Sequence, residues 1–186
     1  LDFIVQGVEQ LNPAMLCSIL LLDSQGKHLC KGIAPSLPDF YNAALDGVEI
    51  GLGVGSCGEA AYTAERVIVE DIATHPNWAL YSELASRAGL GACWSQPILS
   101  PSRQVLGTFA IYHKSKHAPT EADIYIIEQT ARLVSIAIER KQMEDEVRKL
   151  AFYDALTELP NRRLLADRLK QALAASKRKG LYGALL

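Results

Sequence analysis

The stretch GLGVGSCGEAAYTAE, beginning at Gly51, runs a glycine-rich loop into a helix, with Glu59 three residues after Ser56. Backbone amides at a helix start can hold a phosphate or carboxylate. Ser followed at that distance by Glu is also the pattern of a capping box. The capping reading is preferred, because a glutamate at that end repels anions. No Lys-Ser/Thr pair follows, so the loop is not a P-loop. Further along, Trp78, Tyr81 and Trp94 supply aromatic surface, and Cys57, Glu59, Asp71 and Ser95 supply polar contacts. Together these seven residues are the candidate ligand-binding set. Each aromatic taken singly is more often core filling. Cys57 and Cys93 could meet as a redox pair, although a strand cysteine is usually a small apolar filler. His113 and His117 stand four apart in HKSKHAP, which reads as a loop, so no metal site is expected.

The totals narrow the classes. The chain has 186 residues, 49% hydrophobic and 22% charged, which is a globular balance. Its net charge of -2 offers no positive field for nucleic acid. Four scattered cysteines form no CxxC pair and suit a reduced, cytoplasmic setting. No apolar run approaches the roughly 18 residues of a membrane span, so no membrane contact is expected. The first residue is Leu1, inside an apolar helical pattern, and the chain reads as a piece of a longer protein.

The elements that would position these residues follow from periodicity. Residues 1–11 read as a helix. CSILLLD and HLCKGIA read as a hairpin joined at Gly26. PSLPDFYNAALDG holds a short helix. RVIVED is a strand, HPNWALYSELASRAGL a helix, and ACWSQPIL with VLGTFAIYH a second hairpin. The strands alternate little, as in a sheet covered on both faces. From Thr120 the pattern is helical, and Thr120 with Asp123 offers a cap. One stripe, Ile124, Ile127, Ala131, Val134 and Ile138, suits packing on the helix's own domain. A second, Leu133, Ile136, Arg140, Met143, Val147 and Leu150, reads as a coiled-coil dimer seam.

This order, with the phrases APSLPDFYNAALDGVEIGLGVGSCGEAAYTAERVIVEDIATHPNW, AGLGACWSQPILS and VLGTFAIYHKSKHAPTEAD, resembles the GAF sensors of bacterial two-component kinases and cyclic di-GMP enzymes. The resemblance implies an α+β GAF fold, an antiparallel sheet between helical layers, over residues 1–140. Residues 120–152 would be a long coiled-coil signalling helix overlapping its end. AFYDALTELPNRRLLADRL resembles the first helix of a GGDEF domain, the diguanylate cyclase fold. Asp154, Leu156, Thr157, Leu159, Asn161 and Arg162 match its opening motif, while Glu158 stands where that family usually has Gly. By residue pattern alone, Asp154 and Thr157 end one helix and cap the next, with Pro160 in its first turn. Residues 153–186 would then be a truncated start of that domain. GLYGALL resembles the beginning of its first strand, and residues after about 165 are expected to be mobile or held by a partner chain.

The expectation is therefore a sensor and dimerisation domain, without catalysis of its own, that regulates cyclic di-GMP synthesis by a GGDEF output. Its partners would be a second copy through the long helix and a small molecule in the GAF pocket. The ligand or cofactor is left open among cyclic nucleotides, haem, other tetrapyrroles, small acids, or none. Two alternatives stand beside this: a ligand-free structural dimer joint, and a cysteine-dependent GAF-fold reductase.

Overall fold

The computed structural model describes residues 1–154, 157 and 159–179. Its elements are α1 (Asp2–Leu11), β1 (Leu16–Leu22), β2 (His28–Ile33), α2 (Asp39–Leu45), β3 (Val48–Glu49), α3 (Gly55–Thr63), β4 (Val67–Val69), a 3₁₀ turn (Pro76–Trp78), α4 (Ser82–Arg87), β5 (Ala92–Leu99), β6 (Val105–His113), α5 (Glu121–Phe152) and α6 (Arg162–Lys179). The strands form one antiparallel sheet in the order β3-β2-β1-β6-β5-β4. The fold is thus α+β, a GAF-type sheet with helices on both faces. Two elements differ from the sequence reading. β3 lies in a segment that gave no strand pattern, since a two-residue strand has no period. The helix expected over 76–88 is broken at Ala79–Tyr81 into the 3₁₀ turn and α4.

Successive strand residues point to opposite faces, and both faces of this sheet are buried. One face carries Leu20, Leu29, Cys93, Ala110 and Tyr112, covered by Tyr41 of α2, Cys57 and Ala61 of α3, Trp78, and Ala85 of α4. The other carries Cys17, Ile19, Trp94, Phe109 and Ile111, covered by Val5 and Val8 of α1 and by Ile127, Ala131, Val134 and Ile138 of α5. The near-continuous apolar strands are the consequence.

The first stripe of α5 therefore packs on this domain from Ile127 onward, while Ile124 is only half-buried and outside the core. Thr120 and Asp123 cap the helix reciprocally: Asp123 Oδ2 accepts from the Thr120 N–H at 2.8 Å, and the Asp123 N–H donates to Thr120 Oγ1 at 3.2 Å. Arg66 pairs with Glu128 at 2.7 Å, and Ser135 Oγ donates to the Leu99 carbonyl at 2.7 Å. These polar ties fix the helix to the β4–β5 edge. The second stripe is left open, with exposure rising from 52% at Leu133 to 69% at Leu150. Arg140 within it pairs with Glu144 at 2.9 Å. No described helix is long and apolar enough to cross a membrane.

The chain divides into two compact units, Leu1–Glu139 and a second beginning at Arg140. In the second, Asn161 ties the end of α5 to the start of α6. Its Nδ2 donates to the Ala151 carbonyl at 2.9 Å, while its Oδ1 accepts from the N–H groups of Arg163 and Leu164 at 3.0 and 3.1 Å. Asn161 thus caps α6. Asp154 and Thr157 do not; Asp154 Oδ1 accepts from the Thr157 N–H and hydroxyl, both at 2.9 Å, between the two helices. Pro160 precedes the cap instead of entering the first turn, and bridges to Tyr153. Leu159 is exposed, as are Leu165 and Leu173 of α6. Leu156, Glu158 and the strand expected at GLYGALL lie outside the described residues.

β1 shifts register between Ile19 and Leu21, and at that irregularity it runs between two glycines. A Cβ on Gly32 of β2 would overlap the Ile19 carbonyl, and one on Gly107 of β6 would overlap that of Leu20. The obstacle at Gly32 is backbone, so it cannot rotate away. Gly32→Ala should destabilise the domain by about 1–3 kcal/mol, measured by urea unfolding. An unchanged midpoint would show that β1 slides freely at this point.

Candidate functional site

The loop before α3 turns through Gly53 and Gly55, at φ 75° and 54°, a region open to glycine without strain. The helix consequently starts at Gly55, with Val54 as its cap and no side-chain capping bond. Ser56 falls in the first turn and is buried. Its Oγ donates to the Cys93 carbonyl at 3.3 Å and accepts from Trp78 Nε1 at 3.0 Å. The capping box expected of Ser56 and Glu59 is therefore not formed. Glu59 Oε2 instead accepts from the Gly53 N–H at 2.8 Å and from Asn77 Nδ2 at 2.7 Å. One carboxylate thus ties the loop before α3 to the 3₁₀ turn.

Beneath these two segments lies a cavity of about 30 Å³, room for about two waters. Leu20, Leu29 and Tyr112 form its sheet side. Tyr41 and Leu45 of α2, Val48, Val54 to Gly58, Trp78, Tyr81 and Leu84 complete the wall. Its deep end is polar. Ser18 Oγ donates to the Tyr112 hydroxyl at 3.4 Å, and the Cys57 sulfur lies 3.7 Å from the same oxygen. Tyr41 meets the Tyr112 ring edge-on at 5.9 Å. The hydroxyls of Tyr41, Ser95 and Thr108 are buried and make no hydrogen bond of full geometry; Tyr41 interacts weakly with Tyr112, and Ser95 and Thr108 with the Cys57 thiol.

The electrostatics follow from burial. Desolvation pushes both tyrosine hydroxyls and the Cys93 thiol well above their ordinary values. The adjoining Cys93 thiol holds Cys57 below the usual thiol range, against the opposing effect of burial.

Of the seven candidate ligand residues, Cys57, Trp78 and Tyr81 line the cavity. Ser95 is buried on the β5 side that also carries Cys93, but lies outside the lining. Glu59 fastens the cover. Asp71 stands apart: its Oδ1 accepts from the Ala73 N–H at 3.1 Å, and Lys116 lies 3.6 Å from its Oδ2. Trp94 is on the other face of the sheet. Its Nε1 donates to the His117 carbonyl at 3.2 Å, and its ring lies 4.6 Å from His113 and 5.5 Å from His117. Trp94 and Ser95 are neighbours on one strand, so a single pocket cannot receive both. That rule was available in the sequence. The residues that sequence reasoning missed are Tyr41, Ser56 and Tyr112. The alternation Thr108, Ala110, Tyr112 along β6 could have placed Tyr112 beside Cys93, but nothing local marks which face α3 covers.

A GAF domain family model matches residues 1–139, and the chain belongs to that family. Among curated relatives, a methyl sulfide methyltransferase-associated sensor of Methanosarcina acetivorans is 38% identical over 146 residues, 78% of this chain. The chain spans only 15% of that protein's length. Among solved structures, the GAF domain of a phosphoenolpyruvate-protein phosphotransferase from Coxiella burnetii is similar at TM-score 0.63 and 19% identity, covering 78% of this chain and 84% of that one. A free methionine-R-sulfoxide reductase from Neisseria meningitidis, solved with its substrate, is similar at TM-score 0.60 and 16% identity, covering 77% and 78%. Both structures share the fold.

The Trp94–His113–His117 stack carries a pH dependence. His113 is buried, its Nε2 has no partner, and His117 lies 4.3 Å away ring to ring. Burial first, and His117 second, lower its pKa from the ordinary 6.5, while Asp123 acts oppositely. Unfolded His113 then binds protons more readily than folded His113. Stability is fully present above about pH 6.5 and is lost as pH falls below it. Melting temperatures between pH 7.5 and 5.5 should fall less in His113→Gln than in the parent; parallel curves would remove His113 from the account.

Proposed function

We propose that this chain is the sensing and transmission part of a signal-transduction protein, in which a GAF domain biases a GGDEF-type output through a homodimer of long helices. One observation carries this reading: α5 divides its apolar residues between two tasks. Ile127, Ala131, Val134 and Ile138 are buried on the GAF sheet, while Leu133, Ile136, Met143, Val147 and Leu150 are exposed at seam spacing. A change on the cavity face would pass through the shared sheet to the buried stripe, and from there to the helix pairing. The similar protein from Methanosarcina acetivorans is itself named a sensor. The GGDEF part rests on Asp154, Thr157, Leu159, Asn161 and Arg162 in the motif quoted above. In the whole protein, alignment of two output domains would control cyclic di-GMP synthesis; the present chain contains no GGDEF sequence. Four free thiols suit a cytoplasmic setting.

Replacing Met143 and Val147 together by Lys places charges in the seam without touching the GAF core. The parent should scatter light as a dimer and the double variant as a monomer. An unchanged mass would remove the seam.

A second reading, a dimer joint without a ligand, is favoured by the small volume of the cavity. The reductase reading is favoured by the adjoining Cys57 and Cys93 and opposed by their burial. Iodoacetamide discriminates. Under the sensor reading native Cys57 reacts slowly and incompletely, whereas fast, complete labelling near pH 7 would support a catalytic thiol.

A further inference from the structure

We propose that the cavity beneath α3 admits a small uncharged molecule, a few heavy atoms bearing one hydrogen-bonding group such as an alcohol, and rejects anions; this rests on the sensor reading above. Three observations converge. First, the described lining holds no charged side chain: aliphatic Leu20, Leu29, Leu45, Val48, Val54 and Leu84 face aromatic rings, a serine and a thiol. An anion would enter without a counter-charge, at a cost of several kcal/mol. Second, the anion niche that a helix start would offer is compromised. The Gly53 N–H before α3 is already taken by the Glu59 carboxylate, which brings its own negative charge. Third, the Tyr41 hydroxyl is fully buried at the polar end of an otherwise apolar space and makes no hydrogen bond of full geometry, its weak partner being the Tyr112 hydroxyl. Such a group is costly to leave unsatisfied, and a ligand hydroxyl would satisfy it.

Size follows from the volume. About 30 Å³ is far short of what a nucleotide needs. Leu45, Tyr81 and Leu84 are only partly buried, so these three side chains can yield to a guest of a few atoms. The Glu59 bonds keep the loop and the 3₁₀ turn from opening further.

The test uses the chain as it stands, with methyl NMR of Leu20, Leu29 and Leu84. The probes are propan-1-ol and propanoate, which match in length and differ in charge, and xenon, which has no polar group. Propan-1-ol should shift these methyls and propanoate should not. Tyr41→Phe removes a hydroxyl that makes no hydrogen bond of full geometry, so the fold should hold, while propan-1-ol binding weakens about fivefold and xenon binding stays unchanged. Equal shifts from propanoate would overturn the proposal and leave the sensor reading intact. Silence from all three probes would also overturn it, and the sensor reading would then be judged on the seam variant's mass. Loss of xenon and propan-1-ol together in Tyr41→Phe would assign Tyr41 a shape role and overturn the polar one.

Discussion

Burial of the central strands on both faces is the constraint on which the domain rests. Every residue of β6 from Gly107 to His113 is buried, as are the middle of β1, Cys17 to Leu20, and most of β5. A strand in that position cannot spend alternate residues on solvent. It must find partners for each polar side chain inside the protein, or leave them unpaired at a cost. The positions of Ser18, Thr108, Tyr112, Cys93 and Ser95 on one face, and of His113 on the other, are therefore the least neutral facts of the structure. They are where the fold gives up stability that an all-aliphatic sheet would keep.

The two faces divide the work. On one, short helices and loops cover a polar-ended cavity: α2 and α4 are brief and leave Leu45, Tyr81 and Leu84 only partly buried, while Glu59 ties two irregular segments together with two hydrogen bonds. On the other, α1 and the first half of α5 form an apolar cover reinforced by the Arg66–Glu128 pair and the Ser135 bond to Leu99. Motions of low cost belong to the first face. The sheet is thin enough that Cys93 and Trp94, one residue apart, report to opposite layers. A sensor needs both properties, a yielding side and a stiff side joined by a few strands.

Membership of the GAF family fixes the architecture and leaves the ligand open, because function on a shared fold lives in the site. Here the site's neutrality is a stronger statement than its shape. The Cys57–Cys93 pair shows the same economy: each thiol is a neighbour to the other before it is a reagent, and burial raises the cost of charging either.

Much of this was legible in the sequence. The long helix, its Thr120–Asp123 cap and its two stripes follow from spacing alone, because a helix carries its period locally. The strands and the doubly covered sheet followed from β-rich apolar runs. Phrase-level resemblance gave the family. What the sequence left undecided depends on facts that are not local. The start of α3 moved by two residues, its cap from Ser56 to Val54, which turned Ser56 from a cap into a buried partner of Trp78. The phase of β5 sent Trp94 away from the cavity and kept Ser95 on its side. Tyr41 and Tyr112, 71 positions apart by their numbers, meet only because α2 folds back over the sheet. Periodicity tells which residues share a face of one element. Only tertiary packing decides which element covers that face, and so which side chains a ligand would meet.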